Sequence, residues 1–304
     1  MKQSKRIMAA IVATLLAVSL AAFGLVGCGG QVDATDPAAS ITRAIGREAS
    51  SGTRSAFHEL VKNEEGQSIE KALESTQLNA CVSESTSTAA VVTAVAQRYD
   101  TLGYISLGSL APNADKVQAV ALNGVAATVE NVVNGSYKLS RPFNLILNEE
   151  NYAANDLAQN FVSFIESSAG QELIVEEGYV TVPDLALQTY SVYTGDRTVL
   201  NITGSTSVEK LMRRFVAAYT ELNPGITVHI DAQGSGQGIS NAQAGTNDLG
   251  MSSRALKASE TGVVARKIAD DGIAIIVKKG SQHTNVTLAD LYELYINGKA
   301  IETK

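Results

Sequence analysis

Three times in this chain a short apolar run ends in glycine and small hydroxyl residues, and an amphipathic run follows at once. The corners are Gly46-Arg47-Glu48-Ala49-Ser50-Ser51-Gly52-Thr53-Arg54, Gly204-Ser205-Thr206-Ser207 and Gly234-Ser235-Gly236-Gln237-Gly238; a fourth, Ser252-Ser253-Arg254, closes another apolar run. Small hydroxyls before a helix ordinarily cap it. Four such element ends in one chain ask for more than capping. A helix start carries backbone N–H groups without internal partners and a partial positive charge, so small side chains that admit an anion make it an oxyanion seat. Arg47 adds a cation able to form paired hydrogen bonds.

The remaining pattern alternates strands with helices. Strands are expected at 41–45, 103–107, 117–122, 144–147, 178–182, 200–202, 226–230, 248–251 and 273–277. Helices are expected from the Gly52 corner to Val61, over 88–98 and 155–167, and over 171–177, with a stripe of Val208, Leu211, Met212, Phe215 and Tyr219 and a last helix capped by Thr287. The stretch 62–87 gives no clear pattern. Residues 183–196 read as a connector and the internal boundary. Ligand-type residues where strands end and helices begin point to open α/β sheets that bind at the carboxyl ends of their strands.

Near the start, Lys2, Lys5 and Arg6 precede an apolar run from Ile7 to Leu25, the order of an export signal. It ends in Leu25-Val26-Gly27-Cys28, which resembles the bacterial lipobox whose cysteine receives a lipid; an uncleaved membrane span of similar length is the alternative. Residues 28–40 read as a tether. With 304 residues, 45% of them hydrophobic, the rest of the chain suffices for two modest lobes. Tryptophan is absent, aromatics make up 5%, and the formal net charge is -7, which disfavours nucleobase stacking and nucleic acid as a partner. His58, His229 and His283 are scattered, as are Cys28 and Cys81, so no metal site is expected. Cys81 reads as a small core or surface residue. The Gly234 run lacks the spacing of a dinucleotide fingerprint and the Gly-Lys-Ser/Thr of a P-loop.

Taken together, Ile202–Ser207, Gly234–Ile239, Asp248–Arg254, Asp271–Val277 and Gly46–Arg54 resemble the phosphate-binding proteins that feed the phosphate-specific ABC importer. The resemblance implies a two-lobed periplasmic-binding-protein-like (Venus flytrap) α/β fold and a non-enzymatic binder of inorganic phosphate, held at the outer face of the membrane through Cys28 beside its permease. It implies no cofactor. Segment 200–304 resembles the N-terminal half of the family and 41–182 the C-terminal half, so the fold is expected to be circularly permuted around a linker at 183–199; pairing of the halves with a second copy is the alternative. Carried over by position, Thr206, Ser207 and Ser235 offer donors from one side, Arg47 the charge, and Ser51, Gly52 and Thr53 the opposing helix start. Ser253 stands where some members have an aspartate that accepts the proton of hydrogen phosphate, and Glu48 is a possible substitute for it. The strand 273–277 is expected as a crossover at the hinge.

Rival readings are a binder of sulfate or molybdate, a rearranged chain that binds nothing, and a phosphoester hydrolase working in the same cleft. The last lacks a placed general base or metal.

Overall fold

A computed structural model describes residues 33–303. The export signal and Cys28 therefore lie outside the described residues, among which no helix is long and apolar enough to cross a membrane.

The strands are β1 (Arg43–Arg47), β2 (Val82–Ser85), β3 (Thr101–Ser106), β4 (Val117–Ala119), β5 (Ala121–Leu122), β6 (Ser140–Leu147), β7 (Val180–Thr181), β8 (Val199–Gly204), β9 (Thr227–Asp231), β10 (Leu249–Ser252), β11 (Val264–Lys278) and β12 (Asn285–Val286). One sheet runs β2-β1-β3-β11-β6-β10-β8-β9, with β4 and β7 also on β11; β5 and β12 pair separately. β1 lies parallel to β2 and β3, and β8 parallel to β9 and β10, as crossover helices require. β11 is antiparallel to both of its neighbours in the path, β3 and β6.

The two largest apolar cores among the described residues divide this sheet. One gathers Ile41, Phe57, Leu102, Tyr104, Ile275, Leu291 and Tyr295; the other gathers Phe143, Leu145, Phe161, Phe164, Phe215 and Met251. β11 serves both lobes: residues 273–278 pair with β3 and β4, and residues 264–272 with β6. The hinge thus falls at Asp271–Ile273 beside Leu139–Arg141, where Ile273 N donates to Leu139 O at 2.7 Å. The expected strand 273–277 lies wholly in the first lobe, so the crossing is N-terminal to it. Residues 264–272 escape a hydrophobic reading because their charges find distant partners: Arg266 binds Glu166, and Asp271 binds Arg141 at 3.0 Å in a fully buried pair. A bulge between Lys267 and Ala269 breaks the alternation further.

The helices Gly52–Leu60, Thr88–Val95, Asp156–Ile165, Ser168–Glu176, Glu209–Leu222 and Ser235–Ala244 stand close to expectation. The uncalled stretch 62–87 holds a short helix, Ile69–Ala72, and β2. Residues 183–198 carry no regular structure, and their Tyr190 and Tyr193 pack on the second core. Residues 33–40, expected as tether, lie against the first lobe: Tyr99 N donates to Ala34 O, Gln282 N to Pro37 O, and Ala39 is buried. Cys81 is partly buried and donates to Leu294 O at 3.4 Å.

His58 sits on the Gly52 helix with 6% of its surface exposed. Burial, helped by the charge of Arg54, lowers its pKa from the ordinary 6.5 to about 3. Between these values the unfolded chain binds a proton that the folded chain refuses, so stability falls as pH drops from 6.5 toward 3 and is unaffected above 6.5. Urea denaturation between pH 7 and pH 4 is expected to show a loss on the order of 3 kcal/mol from this residue, and His58→Gln to flatten that slope.

Candidate functional site

Three helix starts meet between the lobes. The first follows β1, whose last residue Arg47 is delivered to the cleft and 2% exposed. Ser51 caps the Gly52 helix, its hydroxyl accepting from Arg54 N at 3.3 Å. The second start follows β8, where Ser205 Oγ accepts from the N–H groups of Ser207 and Val208 at 3.2 and 3.4 Å. The third is the Ser235 helix, entered from β9 through Gly234. Neither the Gly52 helix nor the Ser235 helix has an acidic residue in its first turn, so no side chain there offsets the positive end of the helix.

Contacts across the cleft tie these corners together. Arg47 Nη2 donates to Thr206 Oγ1 at 2.8 Å, and Thr53 Oγ1 lies 2.8 Å from Ser207 Oγ. Ser253, directly after β10, receives a hydrogen bond from Ser205 Oγ at 3.0 Å, donates its N–H to Ser235 Oγ at 3.0 Å and has its hydroxyl 3.3 Å from that same oxygen. Gly52 abuts this pair so closely that a Cβ would lie 2.4 Å from Ser235 Oγ and 2.7 Å from Ser253 Oγ. The Gly236 N–H, an orphan of the helix start, donates across the cleft to Ser50 O at 2.9 Å. Ser51, Thr53, Ser205, Ser207, Ser235 and Ser253 are all buried.

Of the eight residues carried over as an anion-binding set, Arg47, Gly52, Thr53, Thr206, Ser207, Ser235 and Ser253 meet in this one constellation. Ser51 contributes chiefly as the cap of its helix, the ordinary role of such a residue. Glu48 proves to be the partner of Arg47, accepting from Nε and Nη2 at 2.8 Å each. Ser50, Ser205 and Thr88 were not singled out. Ser50 and Ser205 stand inside recognised corners. Thr88, 3.5 Å from Arg47 Nη1, opens a fourth helix whose cap, Ser87, was the available signal. Arg254 turns away to a paired contact with Glu260 and stays out of the constellation.

Buried hydroxyls, unopposed helix starts and one guanidinium form a lining suited to a small oxyanion. A model for the PBP superfamily domain matches residues 30–169 and 191–302. The chain belongs to that superfamily, within the family of the phosphate-binding protein PstS. It is 35% identical over 286 residues to phosphate-binding protein PstS 2 of Streptococcus pneumoniae, covering 93% of this chain and 94% of that protein. The crystal structure of a phosphate ABC transporter phosphate-binding protein from Streptococcus pneumoniae matches with a TM-score of 0.63 at 32% identity, covering 86% of this chain and 97% of that one. Phosphate-binding protein PstS of Pseudomonas aeruginosa is 33% identical over 107 residues, which is 34% of this chain and 33% of that protein.

A methyl group at Gly52 is expected to hold the lobes apart. In Gly52→Ala the Gly236 amide loses its partner in the opposite lobe, and its hydrogen exchange speeds up tenfold or more, while amides in the cores keep their protection.

Proposed function

We propose that this chain captures inorganic phosphate outside the cytoplasm and presents it to the permease of an ABC importer, with no chemical change to the ion. The observation that carries this reading is the convergence of Arg47 with three helix starts from both lobes on one buried, hydroxyl-lined place. Arg47 supplies charge; Thr206, Ser207, Ser235 and Ser253 supply donors from the second lobe; Ser51, Gly52 and Thr53 supply the opposing helix start. These fixed dipoles replace the hydration shell of the ion. The hinge at Asp271–Ile273 lets two rigid lobes close over it, and the permease reads the closed form. Lipid on Cys28 keeps the body at the membrane.

Glu48 shapes the choice of anion. Its carboxylate occupies the fork of Arg47, and a second anionic oxygen beside it is tolerated only with a shared proton. Phosphate near neutral pH carries such a proton; sulfate does not. Titration calorimetry of the purified body is expected to show phosphate binding and much weaker sulfate binding, and Arg47→Ala to cost about 2–3 kcal/mol, roughly 100-fold in Kd. Equal affinity for sulfate, or an unchanged Kd in the variant, overturns the assignment.

We also infer that the order of the two segments is a circular permutation of that in part of the family. Ile41 and Ile301 exchange backbone hydrogen bonds at 2.9 Å, Thr303 Oγ1 donates to Ala38 O at 2.8 Å, and Ser40 Oγ bonds Glu302 at 2.5 Å, so the ends of the described chain lie side by side. The short match to the Pseudomonas protein, against the near-complete match to the pneumococcal one, fits an order shared with one relative and exchanged in the other. A chain with those ends joined by a short linker and new ends placed within 183–198 is expected to fold and to bind phosphate as the parent does, by circular dichroism and calorimetry.

A further inference from the structure

The lobes meet a second time at Gly108, outside the hydroxyl constellation. Gly108 lies in the 3-10 turn that follows β3, and Lys210, in the first turn of the Glu209 helix, reaches over from the second lobe to donate from Nζ to Gly108 O at 3.0 Å. The same ammonium pairs with Glu177 at 2.7 Å and stands 5.8 Å from the centre of the Tyr179 ring, both in the second lobe. The Tyr179 ring packs on Gly108 so tightly that a Cβ there would lie 2.3 Å from Cζ. Just before the turn, Ser106 Oγ donates to Asp271 at 2.9 Å, at the hinge.

We propose that Lys210 is a positioning residue for lobe closure: bridging Glu177 to the Gly108 carbonyl, it favours the closed arrangement before any anion arrives. Opening breaks a charge-assisted hydrogen bond to a backbone carbonyl and parts an aromatic ring from the glycine it covers. Beside the contact lies a groove of about 530 Å³, lined by Leu107, Leu110, Pro112 and Val129 of the first lobe and by Glu177 of the second. Both lobes form its walls, so its width follows the hinge. Because Lys210 is absent from the anion-binding set, it acts on affinity only through the population of the closed form. The effect on affinity rests on the phosphate reading above; the effect on shape does not.

The test compares the parent, Lys210→Met and Lys210→Arg by small-angle scattering, without ligand and with saturating inorganic phosphate, and by phosphate calorimetry. Lys210→Met is expected to enlarge the ligand-free radius of gyration, to return to the parent value with phosphate, and to raise Kd about five-fold, the effect of one hydrogen bond. Lys210→Arg, which keeps a donor in reach of Gly108, restores both. Glu177→Gln, which removes only the pairing within the second lobe, falls between. Identical ligand-free scattering of parent and Lys210→Met overturns the proposal whether or not phosphate binds. A parent that binds no phosphate while the two shapes differ overturns the phosphate reading and supports the clasp.

Discussion

The antiparallel pairing of β6 with β11 is what brings the corners of two separate cores to one place. β11 runs on from one lobe into the other, and β6 begins at the same level, so the lobes are joined by two adjacent strands whose backbone bonds are complete through Asp271–Gly272. The buried pair of Arg141 and Asp271 lies at this crossing. Burial raises the pKa of Asp271 and lowers that of Arg141, each against the pull of the other, so breaking the pair leaves an uncompensated charge at the pivot. The joint thus resists separation of its strands.

Much of the site was legible because its chemistry is local. Each corner combines a strand end, a turn and a helix start within about ten residues, and the residues that line the cleft are the ones that cap or open those helices. The corners, and Arg47 within the first, stand out for that reason; Thr53, Ser207, Ser235 and Ser253 were picked from them by the resemblance to the phosphate-binding proteins. Contacts assembled from distant parts of the chain were not legible. Glu48 stood out only as an acceptor for the anion's proton, its pairing with Arg47 was not foreseen, and nothing in the pattern around Gly108, Tyr179 or Lys210 marks them as neighbours.

The same distinction explains the misread strand. In 273–277 every residue is apolar and buried, and periodicity finds it at once. In 264–272 the charges hide any strand pattern, yet Arg266, Lys267 and Asp271 each meet an opposite charge. Residues 33–40 mislead in a related way: their composition is that of a linker, and only the backbone bonds to Tyr99 and Gln282 reveal that they are part of the first lobe.

His283 gives the meeting of the chain ends a mechanical meaning. Its Nε2 lies 3.0 Å from Ala39 O and 3.1 Å from Thr303 Oγ1, so a single side chain of the first lobe grips the described chain near both of its limits. Whatever is covalently attached at either end is therefore carried by that lobe. In the frame of any surface that holds the chain by an end, the first lobe is the stationary jaw and the second the travelling one.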